Sequence, residues 1–271
     1  MDALQAIVLG VVQGLTEFLP ISSSGHLRIV PALLGWEDPG AAFTAVVQLG
    51  TMAAVLLYFR GDLLNIGRAT AAGLRDREAR RTLDARLGWY IALGTIPIAV
   101  LGLLFADPIE TEFRNLYLIG TTLIVFGFLM LWIDARSKRE RSLDSLEARD
   151  GWWIGFAQAL ALVPGVSRSG ATISAGLLRG LDRAAAARYS FLLSVPAVVL
   201  SGLFELRHIG EDGGAPVGAT VLAVILAFVT GYASIAFLLR YLARHTLGVF
   251  VAYRLVVGAL VIALAASGAI S

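Results

Sequence analysis

Residues Gln13–Arg28 read QGLTEFLPISSSGHLR: a proline, three consecutive serines, a glycine and a histidine interrupt an otherwise apolar segment. Residues Gln158–Gly170 read QALALVPGVSRSG and return the same pattern of glutamine, proline and a closing Ser-X-Ser-Gly. Glutamine and final glycine are 12 residues apart in both copies (25 − 13 and 170 − 158). The offset of 145 (158 − 13) places Ser22 on Ser167, Ser23 on Arg168, Ser24 on Ser169 and Gly25 on Gly170. AAFTAVV at Ala41 and AARYSFL at Ala186 keep that offset. The two polar elbows, one per half, read as the two lips of one site.

What surrounds the elbows is apolar. Of 271 residues, 57% are hydrophobic and 15% charged, and mean hydropathy is +0.76. A soluble domain carries nearer a quarter charged residues, so the chain reads as an integral membrane protein. Six runs approach the roughly 17–25 helical residues that cross a bilayer. They are Ala42–Phe59, Gly88–Phe105, Leu116–Ile133, Tyr189–Phe204, Val217–Leu239 and Val249–Ala266, the fourth beginning earlier, within Ala184–Arg188. Around the elbows, the arms Leu4–Phe18 with Leu27–Leu34, and Trp152–Val163 with Ala171–Leu178, are too short to span alone. Each pair reads as a re-entrant helical hairpin, because irregular backbone at membrane depth survives only inside protein or beside a wet cavity.

Charge gives the orientation. Arginines 60, 68, 75, 77, 80, 81 and 86 crowd one connector; Arg136, Lys138, Arg139, Arg141 and Arg149 fill another; Arg240 and Arg244 follow the fifth run. The connectors Ala106–Asn115 and Glu205–Pro216 hold one arginine each, Arg114 and Arg207. The positive-inside rule puts the three basic connectors in the cytoplasm and both termini outside. Three spans per half then make the second repeat inverted, with hairpins entering from opposite faces and meeting near the midplane, an architecture common among transporters. The expected fold is an all-α polytopic membrane protein with six transmembrane helices and two re-entrant hairpins in an inverted-topology repeat. It forms a single integral-membrane domain over 1–271, with repeat 1 at about 1–135 and repeat 2 at about 150–271. Residues 1–12 lack the basic start and cleavage site of a signal peptide. The net charge of +2 and pI near 9.1 reflect topology, and no nucleic-acid partner is expected. With no cysteine there is no disulfide, thiolate metal site or Cys nucleophile.

The elbow residues point to phosphate chemistry. Ser24 and Ser169 suit N-caps, and a helix N-terminus offers free N–H groups and a positive dipole end to an anion. Arg168 adds a charged fork fitted to phosphate oxygens; its bland alternative is an ion pair with Glu17 that only ties the hairpins. Glu17, four residues after Gln13, shares a helix face with it. Together they suit a hard divalent cation, Glu17 alone a general base, and Gln13 alone a helix–helix hydrogen bond. His26 is a candidate general acid, base or phosphoryl acceptor. Ser22, Ser23, Ser167 and Thr172 are phosphate ligands or caps, and Ser23 is the best nucleophile candidate. Arg254 lies inside the last apolar run and needs a partner, with Glu17 and outer-face carboxylates as candidates. His208 and His245 fall in connectors without such company.

QGLTEFLPISSSGHL and PGVSRSG resemble the two signature motifs of the bacterial undecaprenyl-pyrophosphate phosphatase family associated with bacitracin resistance. The resemblance covers the chain in length, span pattern and repeat. It implies hydrolysis of undecaprenyl diphosphate, a C55 polyprenyl diphosphate, to the monophosphate lipid carrier and phosphate, towards the outer face of the plasma membrane. Lipid-carrier recycling for cell-wall synthesis, bacitracin resistance and dependence on Mg2+ or Ca2+ follow from it. Family roles carry over to Glu17, His26, Ser23 and Arg168; the elbow chemistry itself gives metal binding to Glu17 and Gln13 and substrate binding to Ser22, Ser24, Gly25, Ser167, Ser169, Gly170 and Thr172. Where family members place glutamate first in the motif, this chain has the neutral Gln13, leaving Glu17 the sole acidic ligand from it. The other partners expected are membrane lipids, and a homodimer is compatible with the reading. The alternative function is a polyprenyl-phosphate transporter or flippase; inverted repeats fit it, but transport requires only anion binding, whereas His26 beside Ser23 and Glu17 is equipped for bond breaking.

Overall fold

A computed structural model describes residues 2–38, 40–105, 112–205 and 217–270. Arg207 and His208 lie outside the described residues. The described chain is helical, and its one β feature is an isolated bridge between Arg141 and Leu181.

The first hairpin is α1 (Ala3–Phe18) and α2 (Ser23–Leu34), and the second is α7 (Ala148–Ala159) and α8 (Arg168–Leu178). Between them come α3 (Gly40–Tyr58), α4 (Arg60–Gly73), α5 (Leu83–Leu104) and α6 (Leu116–Arg136). After them come α9 (Arg183–Glu205), α10 (Val217–Leu242) and α11 (Gly248–Ala266). Starts follow local chemistry. Asp2 and Gln5 form a reciprocal capping box on α1, and the Asn115 carboxamide accepts from the N–H groups of Tyr117 and Leu118.

Five helices are long and apolar enough to cross a membrane by themselves: α5, α6, α9, α10 and α11. The sixth candidate is the α3–α4 pair, which bends by 73° at Phe59. Beyond the bend α4 carries Arg60, Asp62, Asn65 and Arg68, which hydrocarbon would reject. The basic connector from Arg60 is therefore partly a helix, turned aside from the span. Helix α9 begins at Arg183, one residue before the Ala184–Arg188 stretch in which its start is expected.

Packing exchanges partners between the halves. Helix α1 lies on α10 as α7 lies on α5; α3 touches α10 as α9 touches α5; α3 meets α9 and α6 meets α11 across the centre. Exchanging the halves maps each pairing onto its counterpart, as a two-fold repeat requires. Small residues permit the close crossings. A Cβ on Gly10 would stand 2.5 Å from the Ala223 carbonyl oxygen, and one on Gly155 the same distance from that of Gly94. These positions are again 145 apart (155 − 10). Outward, Val125, Phe128 and Trp132 on α6 and Val221, Ile225 and Val229 on α10 are exposed at three- and four-residue spacing. Such apolar faces belong against lipid.

The junction between halves is pinned from below. Arg141 and Arg179 both bind the fully buried Asp150, with contacts of 2.6 Å from each guanidinium. The hydrogen bond to Asp150 pushes the Arg141 guanidinium above its ordinary pKa.

Candidate active site

Both elbows turn on a serine held in the left-handed region, Ser22 at φ 77° and Ser167 at φ 75°. Non-glycine residues rarely sit there, at a cost of roughly 1–3 kcal/mol each, so surrounding structure must hold them. These serines, and not Ser24 and Ser169, are the N-caps: Ser22 Oγ accepts from Gly25 N–H at 3.4 Å and Ser167 Oγ from Gly170 N–H at 3.2 Å. Each helix thus begins two residues before the expected position. The positive φ turns the serine oxygen back over its own first turn, leaving the next two residues helical.

The elbows are tied to each other. Gly165 N–H donates to Ser22 Oγ at 3.1 Å, and Ser169 Oγ–H donates to the Leu19 carbonyl at 3.1 Å. The mirror image of the first bond is impossible, because the counterpart of Gly165 is Pro20, which has no N–H. Arg254 closes the junction. Completely buried, it donates to Pro20 O (3.2 Å), Gly165 O (2.8 Å), Leu123 O (3.3 Å) and Thr122 O (3.4 Å). Among the described residues its partners are backbone carbonyls from both elbows and α6, not Glu17, and the outer carboxylates Asp107, Glu110, Glu211 and Asp212 lie outside the described residues. A planar guanidinium with five donors can satisfy such a cage of carbonyls.

Glu17 is the centre. Arg168 Nη2 donates to its Oε1 at 2.5 Å, Ser23 Oγ–H to its Oε2 at 2.6 Å, and Gln13 Nε2 to Oε2 at 3.0 Å. Ser23 and Arg168 are repeat counterparts (168 − 23 = 145), so the two elbows deliver equivalent positions to one carboxylate. The counterpart of Glu17 is Leu162 (162 − 17 = 145), and a two-fold scaffold therefore carries a one-sided site. Without an acid beside it, Gln158 donates instead to Gly94 O at 3.4 Å on α5.

His26 stands apart from that cluster. Its Nδ1 lies 2.7 Å from Ser22 O and its Nε2 2.8 Å from the Tyr253 hydroxyl, whose ring stacks on the imidazole at 5.5 Å. A carbonyl only accepts, so Nδ1 carries a proton, and in the neutral imidazole the Nε2 lone pair takes the Tyr253 O–H. Ser24 is exposed and its Oγ lies 3.3 Å from Ser22 Oγ; the Ser167 and Ser169 oxygens are 3.2 Å apart. Thr172 is buried and turned to α9, its Oγ1 2.5 Å from Ser190 Oγ and donating to Arg168 O at 2.8 Å. Tyr253 carried no signal in the sequence, since an aromatic in an apolar span is ordinary and its partner lies 227 positions away.

For a cation, the donor set is small. Among the described residues no group of three or more His, Cys, Asp or Glu side chains is placed to hold a metal. Gln13 nevertheless offers a free ligand. Its amide must donate to the Glu17 carboxylate, which leaves its Oε1 buried without a hydrogen-bond partner. An amide oxygen and a carboxylate suit a hard divalent ion that takes its remaining ligands from water and phosphate.

A family model described as bacitracin resistance protein BacA matches residues 6–260. The chain belongs to the BacA family. Named relatives include an undecaprenyl-diphosphatase of Nocardioides sp., 53% identical over 272 residues, covering 100% of this chain and 99% of the relative. That of Thermobifida fusca is 53% identical over 100% of this chain and 93% of its own length, and that of Myxococcus xanthus 51% over 100% and 92%. In this BacA-family chain the Gln13–Glu17 pair, Ser23 and Arg168 are the motif positions that meet, while His26 reaches the same elbow through Ser22.

Proposed function

We propose that the chain is an undecaprenyl diphosphatase: it hydrolyses the C55 polyprenyl diphosphate to the monophosphate lipid carrier and inorganic phosphate. The observation that carries this reading is the delivery of Ser23 and Arg168, from opposite hairpins, to the single carboxylate of Glu17. The names of the full-length relatives support it and give no support to transport.

Ser23 is the nucleophile. Its Oγ–H already points to Glu17, so attack on the terminal phosphorus passes that proton to the carboxylate. The bond from phosphorus to the bridging oxygen breaks, the lipid monophosphate leaves, and water then releases phosphate from Ser23. Arg168 exchanges its contact with Glu17 for the equatorial phosphoryl oxygens, where charge is spread in the transition state. The two helix starts present N–H groups that have no intrahelical acceptor. His26, with its lone pair occupied by Tyr253, holds the Ser22 carbonyl and thus the shape of the elbow. A divalent cation bound with the substrate would be held by Gln13 Oε1 and Glu17 and would neutralise diphosphate charge.

Basic connectors support a cytoplasmic placement of the Arg60–Arg86 and Arg136–Arg149 segments, in a bacterial plasma membrane, with the site opening outward. Acid-quenched turnover with terminally labelled substrate tests the nucleophile. Label retained on Ser23 is expected, and full turnover by Ser23→Ala would assign the attack to water.

A further inference from the structure

Away from the elbows, at the opposite end of α8, the junction between halves encloses a groove of about 360 Å3. Its walls are Arg136, Lys138, Arg141 and Arg179, with Trp132 and Leu178 beside them, and Glu140 is the one carboxylate in its lining. We propose that this groove is a binding site for the phosphate headgroup of an anionic membrane phospholipid, drawn from the cytoplasmic leaflet.

The four cations fall into two kinds. Arg141 and Arg179 are fixed: both bind Asp150, and Arg141 also donates to Arg179 O at 2.8 Å and Ser145 O at 2.6 Å. Two guanidinium groups share one buried carboxylate on a rigid floor, with Glu147 as a further carboxylate near Arg141, and their side chains stay 26% and 28% exposed. Arg136 and Lys138 are adaptable. Among the described residues neither makes an ion pair, and the Arg136 guanidinium rests over the Trp132 ring at 5.6 Å. The backbone is clasped as well, since Arg141 N–H donates to Gly180 O at 2.9 Å and Asp182 N–H to Arg141 O at 2.8 Å. The groove is therefore held open by bonds that do not involve its ligand.

Its setting selects the ligand. Trp132 is 51% exposed on the last turn of a membrane-spanning helix and Leu178 is 48% exposed at the end of α8. An indole at that level is an interfacial anchor, and an exposed leucine next to four cations suits a molecule with a charged head and an acyl tail. Basic pockets between helices on the cytoplasmic side attract lipid phosphates, each cation contributing about 1 kcal/mol, or roughly fivefold. Free phosphate would satisfy the cations but not Trp132 and Leu178. The leaflet rests on the orientation given under the proposed function; the site itself does not.

Brominated lipids test it with the full chain in mixed micelles, taking as signal the fluorescence difference between wild type and Trp132→Phe. Brominated phosphatidylglycerol should quench that signal at a mole fraction roughly tenfold or more below brominated phosphatidylcholine. The double variant Arg136→Gln/Lys138→Gln should lose the preference while hydrolysing polyprenyl diphosphate at the wild-type rate. Equal quenching by the two lipids would overturn the proposal, as would an unchanged preference in the double variant. Relief of quenching by millimolar inorganic phosphate alone would overturn the lipid assignment. Because quenching needs no turnover, a wild type that failed to hydrolyse would refute the proposed function and leave this site standing.

Discussion

Replacing Arg254 with methionine keeps most of the side-chain volume and removes the charge and every donor of the carbonyl cage. Thr122 and Leu123 are inside α6, where their carbonyls keep helical partners. Pro20 and Gly165 are elbow residues outside any helix, and among the described residues Arg254 is the donor to their carbonyls. Leaving a buried carbonyl unsatisfied costs about 1–3 kcal/mol, so two cost about 2–6 kcal/mol. Against this, the variant no longer buries a charge, which returns several kcal/mol. The terms oppose each other in global stability and add up nowhere else than at the elbows. The expected result is a thermal midpoint in detergent within a few degrees of wild type and a turnover number at least about tenfold lower, the tenfold corresponding to about 1.4 kcal/mol. Arg254→Lys should do no better, because an ammonium is a point donor and cannot span both elbows. Wild-type turnover in Arg254→Met, with an unchanged midpoint, would refute the idea that this side chain sets the geometry of the site.

Three further outcomes follow from the same structure. Arg168→Lys keeps a charge near Glu17 but loses the fork, so turnover should fall about a hundred- to a thousandfold with a modest change in KM, as read by phosphate release; weakened KM at near-normal kcat would make Arg168 a substrate anchor only. Gln13→Glu should tighten the apparent Mg2+ or Ca2+ affinity in an activity titration, since it exchanges the unpartnered Oε1 for a second carboxylate; an unmoved titration would return Gln13 to a packing role. Gly10→Val should cost several kcal/mol and lower the thermal midpoint by many degrees, because its Cβ would stand 2.5 Å from the Ala223 carbonyl oxygen; a midpoint at the wild-type value would argue against the close α1–α10 crossing.

The spans were legible because hydrocarbon imposes one simple rule on length and apolarity. The hairpins were legible for the complementary reason, that Pro20, Ser22–Gly25, Pro164 and Arg168 cannot face lipid. Caps were harder. Serine at φ 77° is strained, and nothing in Ser-Ser-Ser-Gly says which serine bears the strain until the facing Gly165 N–H is in place. The bend after Tyr58 leaves no mark in the sequence, since basic residues signal a loop and an interfacial helix alike. An arginine inside an apolar run needs a partner, and residue identity alone points Arg254 to a carboxylate. Carbonyls released by two elbows met the need, and backbone acceptors leave no trace in residue identity. Tyr253 became visible only when α11 crossed α2.

Ser23 and Arg168, brought from opposite hairpins onto Glu17, are proposed to make one hydrolytic site. Phosphate release from undecaprenyl diphosphate by the purified chain, measured for wild type and Glu17→Gln with folding checked by thermal midpoint, tests it most directly. Steady release by wild type is expected, with a loss of at least about a hundredfold in the folded variant, the size seen when a positioned acid–base group is removed. Comparable release by the two folded proteins would contradict it.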